Sequence, residues 1–402
     1  MKNKQAHILI VAFVVLLISA CAPSPRPFEI TPGASSGPNI ATAPTVAAMT
    51  VPPIPTVAVL PTAVPPTSTP VPPTQSPTAL PTFTPVPAAT PPAGMSRAAY
   101  EYLAAALDIL QTHSLQREHI DWKALRAGAL QRAVHAQTTG QTYDAIRYAI
   151  AQLGDHHSQF YPPDRYTALE DMTVSENQQP QARLLPNQLA YLLLPAFITD
   201  DEGQRHLYVN QLQALIRNTD KGNPCGWVLD LRENIGGNIW PMFAGLGPLL
   251  GEGQLGEFVY PGGTEQTWRY FSGQALLDSY VMASADGSGY QLRGGAPPVA
   301  VLTGPGTMSA AEAVAIAFRG HPNTRSFGQA TAGLTTANST YPLSDGAAIV
   351  LTVVVDADRT GHVYGGVLTP DQVIPPARGG ADTSLQAATT WLLSRPACRA
   401  GH

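Results

Sequence analysis

Three short stretches of the chain carry groups that could act together on a carbonyl. The first is TMSAAE, where Ser309 stands at the point at which an apolar, strand-like run gives way to an alanine-rich helical run. A hydroxyl at a helix start lies near backbone N–H groups that can stabilise an oxyanion, but it needs a base to take its proton. GDHHSQF offers that base in His157, an imidazole able to accept a proton near neutral pH. DLRENIGG follows a second apolar run, and its Gly236-Gly237 pair lets backbone N–H groups approach a carbonyl with no side chain between. The chemistry these parts suit is acyl transfer: attack by Ser309, proton transfer through His157, and an oxyanion held by the N–H groups of Gly237 and Ala310. Each stretch also has a plainer reading. Ser309 and Glu312 spell S-x-x-E, a helix capping box, paired glycines make turns, and most histidines are structural. Taken alone, TMSAAE leaves Ser309 as a cap, a nucleophile, or both. A metal site is not expected, because the adjacent Asp155, His156 and His157 cannot easily converge on one ion and no HExxH-like spacing occurs.

The elements needed to position these groups can be read from periodicity. Apolar residues recur at three- and four-residue spacing through residues 96–153, predicting a small helical bundle with Asp121 and Thr142 as N-caps. Beyond it, apolar strands alternate with helices. Strands are expected at 189–197, 227–232 and 299–304, with helices at about 203–217, 239–249 and 310–319. A late hairpin is expected between 347–355 and the HVYGG segment, and LQAATTWLLSR closes the chain as a helix. Near-continuous Val, Leu and Ile runs feeding helices imply a sheet buried on both faces, hence an α/β layer fold. Ligands in such folds gather beyond the carboxyl ends of the strands, where both DLRENIGG and TMSAAE fall.

The first 94 residues are of another kind. Lys2 and Lys4 precede an apolar run from Ile8 to Ile18 and small residues before Cys21, the pattern of a secretory signal over residues 1–20. Ile18-Ser19-Ala20-Cys21 resembles a bacterial lipobox, which implies cleavage before Cys21, lipid attachment to its sulfur, and anchoring on a membrane outside the cytoplasm. Residues 21–94 then hold the anchor cysteine and a Pro/Thr-rich disordered stalk. From Ala22 to Gly94 the segment carries 21 of the 39 prolines, with Arg26 and Glu29 its only charges. Such composition favours extended polyproline II, and at ~3.1 Å per residue it could reach on the order of 200 Å. The remainder divides into a helical subdomain, 95–165, and a core, 166–402. With a net charge of −5 and no basic block, nothing invites nucleic acid. After Cys21 only Cys225 and Cys398 remain, a pair that could bridge in an oxidising compartment.

In combination the motifs resemble a known family. Asp230-Leu231-Arg232-x-Asn234-x-Gly236-Gly237 with Trp240-Pro241-Met242, then Thr307-x-Ser309-Ala310-Ala311-Glu312, resemble the S41 serine peptidases. These include the C-terminal processing peptidases, the tricorn core and the interphotoreceptor retinoid-binding protein modules. GDHHSQF resembles the family's D-G-H-S segment, and Gly366 to Asp371 its late G-V-x-P-D element, so the resemblance spans roughly residues 96–394. It implies Ser309 as nucleophile, His157 as base, the N–H groups of Gly237 and Ala310 as oxyanion donors, and Arg232 and Asn234 as buttresses of the loop. The implied fold is a helical bundle followed by a crotonase/Clp-protease-like mixed β-sheet core with flanking helices, with no metal or organic cofactor.

Two departures from the family pattern matter. Processing peptidases use a Ser-Lys dyad, but the matching segment here, Gly328 to Leu334, ends in leucine, and no lysine follows Lys221. The chain therefore resembles the histidine-using, tricorn-like branch. That branch supports its histidine with a serine and a glutamate, and here His156 and Tyr364 stand in those places, leaving Asp155, Ser158 and Tyr364 as candidates to orient His157. Only about 28 residues separate Phe160 from the next strand, too few for a PDZ domain. The expected function is that of a lipid-anchored, extracytoplasmic serine peptidase acting on short or unfolded peptides. The alternatives are a catalytically inactive ligand- or peptide-binding lipoprotein and an esterase or amidase using the same serine.

Overall fold

The computed structural model describes residues 90–171, 179–376 and 380–399. The expected signal, the anchor at Cys21 and the stalk as far as residue 89 lie outside the described residues. Three helices open the described chain: α1 (Arg97–His113), α2 (Trp122–Arg132) and α3 (Tyr143–Ala151). Ser96 and Asp121 cap the first two by accepting the N–H groups of Ala99 and Ala124. Thr142 precedes α3 but does not cap it, because its hydroxyl donates to the Thr139 carbonyl. The helices bury stripes such as Ala99, Leu103, Ala106, Leu107 and Leu110.

Next come β1 (Gln159–Tyr161), α4 (Pro163–Glu170), β2 (Gln181–Leu185), β3 (Leu189–Leu193), α5 (Glu202–Asp220), β4 (Gly226–Asp230) and α6 (Ile239–Leu250). A meander follows: β5 (Gly253–Val259), β6 (Glu265–Phe271), β7 (Gln274–Leu277) and β8 (Tyr280–Ser284). The chain continues through β9 (Val299–Thr303), α7 (Ala310–Ala317), β10 (Thr324–Gly328), β11 (Thr336–Pro342), β12 (Ala348–Asp358), β13 (Gln372–Val373), α8 (Thr383–Leu393) and α9 (Pro396–Arg399). The fold is mixed α/β with two sheets and flanking helices. Among the described residues, no helix is long and apolar enough to cross a membrane.

The strands sort into two sheets by chemistry. One has the order β13-β10-β9-β4-β3-β2, parallel except for β2. Every residue of β4 and β9 is buried, as the unbroken apolar runs require. Trp227, Leu229 and Val301 enter the main core with α6 and α7, while Val228, Ala300 and Leu302 form a second cluster with Ala388 and Leu392 of α8. The other sheet is antiparallel, β1-β12-β5-β6-β7-β8, with β11 also paired to β12. Here the expected hairpin is corrected. The partners of β12 are β1, TANSTYP and the first meander strand, and HVYGG contributes only an isolated bridge between Val363 and Ala357. TANSTYP carries polar residues such as Thr336 and Asn338, which bond His157, so it lacks the apolar alternation that marks a strand. Cys225, one residue before β4, is disulfide-bonded to Cys398 in α9, with 4.9 Å between Cα atoms, which ties the C-terminal helix to the parallel sheet.

Candidate active site

The loop after β9 carries Ser309 to the first turn of α7. Its backbone lies at φ 52° and ψ −118°, a conformation that costs a non-glycine residue about 1–3 kcal/mol and recurs where a nucleophile is presented on a sharp strand-to-helix turn. The capping box is half made. Glu312 reaches back to accept the Ser309 N–H at 2.9 Å, but Ser309 Oγ, fully buried, makes no hydrogen bond. The side chain that would cap the helix is thus left uncommitted.

Glu312 does more than close the turn. Its carboxylate also accepts the Thr331 hydroxyl, the Gly333 N–H at 3.0 Å and the Leu334 N–H at 2.8 Å. It therefore clamps the segment that carries lysine in processing peptidases onto the Ser309 turn. Burial raises its pKa while these donors pull it back down.

Asn234 braces the turn from the other side. Its Oδ1 accepts the Gly236 N–H at 2.9 Å, its Nδ2 donates to the Pro195 carbonyl at 3.1 Å, and its own carbonyl accepts the Met308 N–H at 3.0 Å. Arg232 lies further out, paired with Asp230 and Asp382, so it holds loop to helix α8 rather than facing Ser309. Gly236 and Gly237, at φ 100° and 111°, are where glycine is required. A Cβ on Gly236 would come within 2.8 Å of the Met308 carbonyl and 3.0 Å of Ser309 Cβ, and one on Gly237 within 2.0 Å of the Phe197 carbonyl. With the Gly236 N–H taken by Asn234, the N–H groups of Gly237 and Ala310 have no hydrogen-bond partner among the described residues.

His157 reaches the site from the loop before β1. Its main chain is pinned at both ends: Asp155 accepts its N–H at 3.1 Å, and Asn338 Nδ2 donates to its carbonyl at 3.1 Å. Asp155 also accepts the Ser158 N–H and hydroxyl and the Thr352 hydroxyl. The expected orienting candidates are thereby resolved. Asp155 and Ser158 fix the backbone, Tyr364 donates its hydroxyl to Asp358, and the ring bonds none of them. The ring's Nδ1 instead lies 2.7 Å from Thr336 Oγ1 at the start of β11. Sequence reasoning missed Thr336, which sits 179 residues from His157 in no recognisable motif. Burial alone drives the imidazole pKa from 6.5 down to about 3, so the ring is neutral. Nε2 is buried without a partner, like Ser309 Oγ, and the two are not hydrogen-bonded to each other.

A serine on a strained strand-to-helix turn, free N–H groups beside it, and a neutral, buried imidazole are the parts of a serine hydrolase on a two-sheet α/β frame. The family model of Peptidase family S41 matches residues 188–374, a span that includes Gly237, Ser309 and Ala310 and begins after His157, so this part of the chain is similar to peptidase family S41. The nisin-resistance protein of Lactococcus lactis subsp. lactis is 28% identical over 264 residues, covering 66% of this chain and 79% of that protein. A lipoprotein from Streptococcus agalactiae superposes with a TM-score of 0.62 at 25% identity, over 75% of this chain and 98% of that one. The photosystem II D1 C-terminal processing protease shares the fold, with a TM-score of 0.50 at 18% identity over 75% of this chain and 99% of that one.

Proposed function

We propose that the protein is a serine peptidase that hydrolyses peptides through an acyl-enzyme, with Ser309 as nucleophile and His157 as base. His157 Nε2 takes the hydroxyl proton as Ser309 Oγ bonds to the substrate carbonyl carbon. The oxyanion that forms is met by the N–H groups of Gly237 and Ala310. The imidazolium then gives its proton to the departing amine, the C–N bond breaks, and water attacks the acyl-enzyme with His157 again as base. The carrying observation is the contrast in satisfaction. Glu312, Asn234 and the main chain of His157 are hydrogen-bonded, while Ser309 Oγ and His157 Nε2 are buried and bond nothing. Buried polar atoms are seldom left unpaired without a chemical reason.

The relative named for nisin resistance and the neighbouring lipoprotein support an envelope location and a peptide met there as substrate. They accord with lipid attachment at Cys21 and a Pro/Thr-rich spacer. One observation favours the non-catalytic alternative: at 1% and 2% exposure, Ser309 and His157 are closed to solvent and not engaged with each other. A fluorophosphonate separates the readings. The peptidase reading expects labelling of the purified protein that disappears in Ser309→Ala and falls sharply in His157→Ala, together with cleavage of nisin or an unstructured peptide. A folded wild type that neither labels nor cleaves would leave a binding protein.

A further inference from the structure

We infer that Thr336 is the positioning residue of the base, its hydroxyl accepting the Nδ1–H of His157 so that the Nε2 lone pair is the one presented to Ser309. This rests on the reading of Ser309 and His157 as nucleophile and base. The 2.7 Å contact to Thr336 Oγ1 is the ring's only hydrogen bond among the described residues, in a pocket where the ring is almost wholly buried. Either partner of such a bond can donate. Only the arrangement with the proton on Nδ1 leaves Nε2 able to accept one from serine.

Thr336 is itself held firmly, and by the machinery of the nucleophile. Two residues before it, Leu334 donates its N–H to Glu312, the same carboxylate that accepts the Ser309 N–H. At about 3.3 Å per residue of strand, Thr336 lies one short extended step from that clamp. Next to it, Thr335 Oγ1 accepts the N–H groups of Gly365 and Gly366 and donates to the Gly366 carbonyl. The chain entering β11 therefore fixes the base and braces the nucleophile turn with residues two apart, so a shift of one is felt by the other.

A hydroxyl differs from a carboxylate in this place because it carries no charge to stabilise the imidazolium. Of the acidic groups nearest the machinery, Asp155 is engaged with main-chain N–H groups and Thr352, and Glu312 is engaged at the nucleophile turn. Asp356 on β12, whose N–H donates to the Thr335 carbonyl, has a carboxyl group with no hydrogen bond and a pKa raised by burial. His156 beside the base is exposed. The ring is thus a base of low proton affinity, tuned by burial and oriented by a neutral partner, and the acid limb of activity should lie well below the ordinary histidine value.

The test uses the full-length protein and two readouts. Thr336→Val, checked for unchanged melting temperature, should slow fluorophosphonate labelling and peptide kcat by at least about tenfold with little change in KM. Thr336→Ser should restore the rate to within a few fold. Thr336→Asp should move the acid limb upward by placing a charge beside the ring. Independently of activity, 15N NMR of the His157 ring should show the Nδ1–H tautomer in wild type and a redistributed tautomer in Thr336→Val. A reactive wild type whose rate, pH profile and tautomer survive Thr336→Val overturns the assignment, as does a wild-type ring protonated at Nε2. An unreactive wild type whose tautomer nevertheless depends on Thr336 sinks the peptidase reading and upholds Thr336 as the residue that sets the ring.

Discussion

The Ser309 turn and the strand that holds His157, proposed as nucleophile and base, are held in opposite ways. Around Ser309, Glu312 accepts four donors and Asn234 uses both amide atoms and its carbonyl. Around His157, the main chain is pinned by Asp155 and Asn338, yet the ring hangs on one hydroxyl. The turn must hold a backbone in an unfavourable conformation, which requires many bonds acting together. As the proposed base, His157 must change protonation state, and each extra fixed partner would favour one state over the other. Rigidity is concentrated where geometry is strained, and freedom is kept where charge must move.

The sharpest way to break this comparison is to remove the hub. Glu312→Ala strands the Ser309 N–H and the Thr331 hydroxyl in the interior and frees the N–H groups of half-buried Gly333 and Leu334. The expected cost is about 3–5 kcal/mol of stability, read as a lowered urea midpoint. Fluorophosphonate labelling should fall by about 100-fold or more even where the protein stays folded, because the turn is no longer held. A variant that keeps stability and labelling would show that the strained turn does not need its carboxylate.

The contrast also explains what could be read from the sequence. The parallel strands and α7 are legible because burial on two faces writes itself as unbroken Val, Leu, Ile and Ala. Ser309, Gly236 and Gly237 are legible because strain and close approach restrict the residue type. Glu312 is visible as a capping partner, but not as a hub, since its other three donors are brought to it by the fold. The base side gives fewer signals. Thr336 opens a strand of polar residues, and a hydroxyl accepting one hydrogen bond looks like any other threonine. The meander from Gly253 to Ser284 is likewise hidden, because in β6 and β7 only alternate positions such as Trp268, Tyr270 and Ala275 are buried, and in β5 the buried run is broken chemically by Gly256 and Glu257.

A smaller effect separates the two regions by pH. The His157 pKa is about 3 in the folded state and near 6.5 when unfolded, so below 6.5 the unfolded chain binds a proton that the folded one refuses. The stability contributed by keeping this ring neutral is complete above about 6.5 and is lost as pH falls toward 3, at up to about 1.4 kcal/mol per pH unit from this group. Urea unfolding at pH 7, 6 and 5 should show the wild type losing stability faster than His157→Gln. Parallel curves would mean that the ring takes up its proton without disturbing the fold, contrary to a base held by burial and one neutral partner.

The smallest expected effect concerns Asp356, which shares the nucleophile side with Glu312 but none of its donors. It is fully buried on β12 with both carboxylate oxygens unpartnered, and burial followed by the charge of Glu312 raises its pKa well above the usual value. The sign is opposite to that of His157. The folded state keeps a proton that the unfolded chain releases near pH 4, so stability attributable to this group is present in acid and declines as pH rises through the raised value. Asp356→Asn keeps the shape and removes the ionisable group. It should leave stability at pH 4 nearly unchanged and raise it at pH 8 by about 1 kcal/mol, because an uncompensated buried carboxyl is costly where it would otherwise ionise. A loss of stability at pH 8 would show that Asp356 is a working part of the Glu312 hub, and that the nucleophile side is held by two carboxyl groups rather than one.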